Sequence, residues 1–323
     1  MLLRYAARRL LASIPVLLGV TVITFLLLRL TSGGFVPGLE LDPQLRAEDV
    51  ERIRRNLGLD EPLHLQYLTW LTGLLHGDFG RSLTDGQPVL GHILGRLPNT
   101  LELTVTAAVL GVLIAIPLGV AGALRRGSLI DHLTTTISVA GVSVPTFWLG
   151  LLLILVFSVS FHAWGLPWLP SSGAFDPSDE GSIAGRLLHL VMPASVLAAG
   201  YLAVWSRYAR SSMVEVLSQD YIRTALAKGM SSRRMVYVHA LRNTVAPLIT
   251  LIGLELPTLV GGAAIVEIVF GWPGIGQLAL ERAFAHDYTT LMGLATFTGI
   301  AVVTGNLVAD VLYAVADPRI RYR

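Results

Sequence analysis

Glu255, Asn306 and Asp310 stand deep inside apolar runs, where a polar side chain is the first place to look for chemistry. Glu255 lies about eleven residues into the run 245–270, near the bilayer midplane at a rise of ~1.5 Å per residue. A carboxylate at that depth is costly and is a functional-site candidate by default. Two readings explain it: it lines a polar path, or it packs in protonated or hydrogen-bonded form. Asn306 and Asp310 are four residues apart, on one face of a helix. Hydrogen bonding between helices is the simpler role for that pair, and path lining the other. Asn99, Glu102 and Glu267 fall near the ends of apolar runs and ask for no special role. Trp148 and Trp205 read as packing residues.

Catalytic arrangements are missing. None of the eight histidines is paired as His-x-x-x-His, so there is no zincin set, and no other metal set is read. The chain has no cysteine, which excludes disulfides, thiolate metal sites and cysteine nucleophiles. Lys228 is the only lysine and Gly229 follows it, so the Gly-Lys-Ser/Thr of a phosphate-binding loop is absent. If ATP drives this protein, another subunit holds the nucleotide. Gly141-Val142-Ser143-Val144-Pro145 lacks the second glycine of a nucleophile elbow. His132, His162, His189 and His239 lie near the ends of apolar runs, which leaves Ser143 no base inside a bilayer. The residues suit carrying a solute better than transforming one.

The elements that must position these residues are membrane spans. The chain is 53% hydrophobic and 14% charged, with mean hydropathy +0.63, which is too apolar for an ordinary soluble domain. The net charge of +2 does not argue for nucleic acid, because the basic residues are divided between membrane sides. Apolar runs at 10–30, 100–124, 133–161, 187–205, 245–270 and 290–316 are each close to the ~20 residues that cross a bilayer. The first reads as an uncleaved span. Pro145 kinks the third and Pro257 breaks the fifth. Gly111, Ala115, Gly119 and Ala123 recur every fourth residue, as do Ala301, Gly305 and Ala309. Such small-residue faces let helix backbones approach closely.

Between the first two spans, 31–98 reads as small helices on the outer face, with helical character at 49–57 and 67–75 and a break at Pro62. The expected organisation is a spanning helix at 1–30, an extracytoplasmic helical segment at 31–98, and a five-helix core at 99–323. Arg4, Arg8, Arg9, Arg125, Arg126, Arg319, Arg321 and Arg323 then share one side with the loop 207–243. The positive-inside rule makes that side, and both termini, cytoplasmic.

The loop 207–243 carries Arg207, Arg210, Arg223, Lys228, Arg233, Arg234 and Arg242 against Glu215 and Asp220. Asp220 is a good N-cap for a short helix at 221–227, Gly229 ends that helix, and Ser231 can cap the next. A short helix, a glycine and a second helix beneath a membrane domain form a rigid knob that a soluble partner can grip.

Here the sequence resembles the cytoplasmic EAA loop of ABC importer permeases of the dipeptide/oligopeptide type. The general pattern is Glu-Ala-Ala, three residues, Gly, nine residues, Ile-x-Leu-Pro. Gly229 fits it, while Arg223-Thr224-Ala225 replace Glu-Ala-Ala and His239-Ala240-Leu241-Arg242 replace Ile-x-Leu-Pro. DYIRTALAKG followed by HALRN and Pro247 is similar to the peptide branch almost residue for residue. LGLDEPLHLQY, HGDFGRSL, EIVFGWPGIGQL and the terminal DPRIRYR extend the resemblance over nearly the whole chain.

The resemblance implies an all-α integral membrane protein of six transmembrane helices with a type I ABC importer permease core and a small helical extracytoplasmic insertion. It implies a multi-pass protein of a bacterial or archaeal plasma (inner) membrane. Its expected partners are the lipid bilayer, a second related permease, two cytoplasmic ATPases that bind ATP and Mg, and an extracytoplasmic binding protein. It implies no cofactor in this chain and coupling to the ATPases through Asp220, Tyr221, Arg223, Thr224, Ala225, Lys228 and Gly229. Dipeptides, oligopeptides, glutathione and nickel are cargoes of that branch. A membrane scaffold or ATP-independent facilitator is the competing reading, but a charged anchor needs no glycine-interrupted helix pair.

Overall fold

The computed structural model describes residues 2–31, 60–176, 181–254 and 263–316; within some helices only the backbone is described. Helices account for nearly all of it: α1 (Leu2–Thr31), α2 (Leu63–Leu75), α3 (Val89–Leu124), α4 (Leu129–Ser143) and α5 (Thr146–Leu153) come first. A π-helical run, Ile154–Ser160, continues α5. Then follow α6 (Ile183–Leu217), α7 (Asp220–Ala227), a second π-helical run (Met235–Ala240), α8 (Leu241–Leu254), α9 (Ala264–Val269), α10 (Ile275–Phe284) and α11 (Tyr288–Ala316). Two compact units emerge: Met1–Pro98 with Gly274–Leu307, and Asn99–Pro273 with Val308–Arg323.

Five stretches are long and apolar enough to cross a membrane among the described residues: Arg8–Leu27, Val89–Leu124, Thr146–Ala163, Ile183–Leu217 and Tyr288–Ala309. Several boundaries differ from the hydropathy reading. α3 starts at Val89, before the apolar run, and α6 continues to Leu217. Arg207 and Arg210 are therefore helical residues and not part of a loop. Charged residues at a membrane edge extend a helix without lengthening its apolar stretch, so hydropathy alone underestimates it. The third run divides at Val144 and Pro145 into α4 and α5. The helix expected at 49–57 and the break expected at Pro257 lie outside the described residues.

In the first unit, Phe25 of α1 packs against Tyr67 and Trp70 of α2, with ring centroids 5.5 and 5.9 Å away, and the Thr21 and Tyr67 hydroxyls are 2.9 Å apart. α11 approaches α3 and α1 at glycines: a Cβ on Gly293 would stand 2.5 Å from Val89 Cγ1, and one on Gly299 would stand 2.7 Å from Val20 Cγ1.

The second unit is organised around α6, which buries Met192, Val196, Ala203, Trp205, Ala209 and Met213. The small-residue face of α3 lies against it. A Cβ on Gly119 would meet Ser206 O at 2.5 Å, and one on Gly111 would meet Tyr201 Cβ at 2.9 Å. α4 packs on α6 through Gly141, the Ser138–Ser206 hydroxyl pair at 2.8 Å, and Arg210, which donates through Nη2 to Asp131 Oδ2 at 2.9 Å. Trp205 is buried and stacks on Tyr201 at 4.7 Å, in keeping with a packing role.

Candidate coupling surface and polar clusters

α7 follows α6 after a two-residue turn and buries one of its side chains. Ile222 is 2% exposed and packs with Met213, Met235, Val236, Ala240 and Ala123. Asp220 is not the cap expected of it. Gln219 occupies the cap position without a side-chain bond, and Asp220 is the first helical residue. There its negative charge still complements the helix dipole. Thr224 Oγ1 donates back to the Asp220 carbonyl at 2.9 Å, so it serves the helix itself.

The C-terminal end is closed by a Schellman motif. Gly229 N donates to Leu226 O at 2.9 Å and Met230 N donates to Ala225 O at 3.2 Å. Gly229 stands at φ +83°, which a residue with a β-carbon reaches only at a cost of roughly 1 kcal/mol or more. Met230 packs onto the Ile222 cluster. Ser231 takes the next N-cap position, but its hydroxyl makes no cap bond.

The remaining face of α7 is open. Tyr221, Arg223, Thr224, Leu226, Lys228 and Gly229 are exposed, and Ala225 is half-buried. Asn243 Nδ2 donates to Tyr221 Oη at 2.8 Å, tying α7 to α8. The Arg223–Asp220 pair is 3.7 Å long between side chains 75% and 96% exposed, so it contributes little to holding the helix. The result is a rigid, solvent-facing surface of mixed cationic and apolar character.

Of the three polar residues proposed for a path, only Asn306 has a described side chain. Asn306 is exposed on α11. Asp310 lies on the same helix, but its side chain is outside the described residues, and so is Glu255.

Sequence reasoning passed over a cluster at the other end of α6. Arg186 Nε donates to both Glu102 oxygens at 2.9 Å, and its Nη2 donates to Asn99 Oδ1 at 2.7 Å and also to Glu102. The guanidinium lies over the Trp272 ring, 5.4 Å from its centroid. Trp272 Nε1 donates to Asn99 O at 2.9 Å, and Asn99 Nδ2 donates to Pro273 O at 2.8 Å. Glu267, 0% exposed, accepts from Thr100 Oγ1 at 2.7 Å. Asn99, Glu102 and Glu267 thus have a definite structural role that their position near span ends did not suggest. The usable signal was one arginine and two acids bordering otherwise apolar runs.

The first unit has its own polar hub. Asp287, 0% exposed, accepts from Ser82 Oγ and Thr290 Oγ1, each at 2.7 Å, and from Leu83 N at 3.1 Å. Burial pushes its carboxyl up, but the hydrogen bonds from Ser82, Thr290 and Leu83 outweigh it and leave the group below its ordinary range. Asp85, in the same loop as Ser82, is also held low, chiefly by the Gln87 N–H, with Ser82, His92 and Arg282 assisting. Ser82 belongs to HGDFGRSL, so that motif is in part a device for seating Asp287.

An exposed helix projecting from long apolar helices is a shape made for a partner, and the comparisons bear on which one. Residues 96–322 match the family model described as binding-protein-dependent transport system inner membrane component. The chain belongs to this family. Residues 2–104 also match the corresponding N-terminal membrane-component model. Over 98% of its length the chain is 44% identical to the oligopeptide transport system permease protein AppB of Bacillus subtilis (strain 168), covering 99% of that protein. It is 41% identical to the di/tripeptide transport system permease protein DppB of Pseudomonas aeruginosa (strain UCBPP-PA14), with full coverage of both chains (100% each). A chain from the inward-facing conformations of the MetNI methionine ABC transporter matches 71% of this chain and 97% of its own, with a TM-score of 0.54 at 19% identity. That likeness shows the shared fold. This binding-protein-dependent permease is a non-catalytic membrane subunit with the fold of ABC transporter membrane chains.

Proposed function

We propose that this permease forms half of an inward translocation path for peptides or a related small solute in a bacterial inner membrane. It pairs with a second, related permease. Two cytoplasmic ATPases hold ATP and Mg, and an extracytoplasmic binding protein delivers cargo. The observation that carries the reading is the α7 surface, anchored by Ile222, closed at Gly229 and open on its outer face. The permease relatives support it, and their printed names support peptides as the cargo class. The ATPases move α7 as they close on ATP. α6 and α8, which flank it, then re-aim the cavity between inward and outward access.

In this reading six spans cross the membrane with both termini and 207–243 in the cytoplasm, and 31–98 and 162–185 face outward. Glu255, Asn306 and Asp310 are its path residues on the sequence argument. A scaffold or self-sufficient facilitator needs no exposed helix closed by a Schellman motif.

The deciding experiment is purification of the tagged chain from native membranes, followed by reconstitution. An ATPase subunit should co-purify, and vesicles should accumulate a labelled dipeptide or oligopeptide only with ATP and the binding protein. Solute uptake by the chain alone, without ATP, would replace this reading with the facilitator. Orientation is checked on the cysteine-free chain by labelling Ser231→Cys with an impermeant thiol reagent. Labelling from outside sealed cells contradicts the topology.

A further inference from the structure

α4 stops at Ser143 and α5 starts at Thr146. The two residues between them are extended: Val144 at φ −81°, ψ 122° and Pro145 at φ −59°, ψ 132°. Val144 N donates to Ala140 O at 3.0 Å and Leu149 N to Pro145 O at 3.0 Å; among the described residues no backbone bond spans the break between them. Pro145 has no N–H, so the Gly141 carbonyl lacks the donor that an unbroken helix would supply. The break falls in the middle of the apolar run 133–161, which lies within the hydrocarbon on the permease reading above. Hydrocarbon satisfies no backbone polar group. Irregular backbone at that depth persists only where protein covers it or where it lines a water-filled cavity.

A cavity of about 230 Å³ lies at this break. Gly141, Val144 and Thr146 line one side, and Ala199, Gly200 and Tyr201 of α6 the other. Thr146 is exposed, and among the described residues its hydroxyl has no hydrogen-bond partner. The two glycines differ in kind. A Cβ on Gly141 would meet Ala203 Cβ at 2.9 Å and Ala199 O at 3.0 Å, so helix packing accounts for that glycine. A Cβ on Gly200 would meet nothing within 4 Å. A glycine inside a helix costs roughly 1 kcal/mol relative to alanine. At Gly200 no contact accounts for that cost, and the space in front of it is open.

We propose that this cavity is a contact point on the translocation path for the main chain of a peptide in transit. The Gly141 carbonyl accepts from a peptide N–H, the Thr146 hydroxyl pairs with a peptide carbonyl, and Gly200 keeps the facing wall clear. The inference rests on the permease reading and specifies part of its path. The volume falls short of the roughly 300–1,000 Å³ typical of sites for whole drug-sized ligands. It therefore suits one peptide unit of a longer cargo. Because the polar groups meet the cargo's backbone, the contact is indifferent to cargo side chains.

The test uses the reconstituted transport complex and a labelled dialanine cargo. Gly200→Leu puts a side chain into the cavity from a position where the Cβ itself meets nothing described within 4 Å. The complex should be recovered in normal yield while import falls about tenfold or more, the scale of misfitting a pocket by a methylene or two. Thr146→Val should lower import less, and Thr146→Ser should restore it. On the cysteine-free chain, Gly200→Cys should react with a water-soluble thiol reagent, and saturating dialanine during ATP-driven turnover should slow that reaction. Normal import by Gly200→Leu overturns the proposal. So does loss of the second permease from the complex, which makes this face a subunit contact, or a Gly200→Cys thiol that water-soluble reagent does not reach, which makes it a lipid face. If the unmodified complex imports neither a labelled dipeptide nor a labelled oligopeptide with ATP, it is the permease reading that fails. Should Gly200→Leu not assemble, labelling and cargo protection of Gly200→Cys decide the matter.

Discussion

The two ends of α6 carry similar residues and use them in opposite ways. Near its start, Arg186 meets Glu102, Asn99 and the Trp272 face, so its charge is spent inside the fold. Beyond its end, Arg223 has among the described residues only a long pair with an exposed Asp220, and Lys228 is exposed. A polar group whose bonds are closed at home holds helices together. One held on a rigid support with its bonding capacity unused is available to another molecule. Residue type does not separate the two cases, but the partner geometry does.

The sharpest way to break the contrast is at Gly229. Gly229→Val forces a β-branched residue into φ +83°, and its Cβ would meet nothing within 4 Å among the described residues. The damage therefore stays local to the end of α7. ATP-driven import is expected to be abolished while the membrane subunits remain assembled, with or without the ATPases. Transport and ATP hydrolysis measured on one reconstituted preparation check this. Wild-type import coupled to wild-type hydrolysis would remove Gly229 from the coupling machinery.

At the closed end the expected effect is on stability. Arg186→Ala leaves Glu102 without its main partner and Asn99 without a donor. We expect a loss of about 2 kcal/mol, seen as earlier thermal unfolding in detergent. Arg186→Lys should recover only part of this, because an ammonium cannot make the bidentate contact.

The hub in the first unit adds a pH dependence. Asp287 is held below its ordinary range when folded, so its contribution is present above the unfolded carboxylate value, about 3.9. That contribution is lost as pH falls through the ordinary carboxylate range and below it. Thermal unfolding followed from neutral to acid pH should show the loss. Asp287→Asn should remove part of the slope, leaving that due to the other carboxylates held low, Asp85 among them.

The smallest effect is expected at the exposed pair. Arg223→Ala should change unfolding by less than about 0.5 kcal/mol. Any substantial loss of import in that variant would then report a contact with the ATPase. Import unchanged in Arg223→Ala would confine the coupling surface to the α7 backbone and its apolar residues.

Much of this contrast was legible in the sequence, but unevenly. The short helix and its glycine stop were readable because both signals are local: eight residues of helix, then the residue type that reaches positive φ. Apolar runs were readable for the same reason. The Arg186–Glu102 pair joins residues 84 positions apart, and Asp287 meets Ser82 across 205. No periodicity encodes such pairings, which follow from how helices pack. Pro145 announced a kink, but not that the chain would stay extended long enough to strand a carbonyl. Asp220 was off by one position because an acid suits both the cap and the first turn.

The π-helical run Met235–Ala240 has a mechanical consequence. It lies between α7 and α8 in the chain, so a load applied to α7 reaches α8 through it along the backbone, beside the direct Tyr221–Asn243 hydrogen bond. Bonds between residue i and i+5 wind the chain more widely than an α-helix, and such runs are rare outside functional segments. The joint is anchored by Met235, Val236 and Ala240, while Tyr237 and Val238 face outward. Its inner side is therefore packed against the fold and its outer side is not. If the ATPases move α7 as proposed, this run is where the chain can absorb part of that movement before α8.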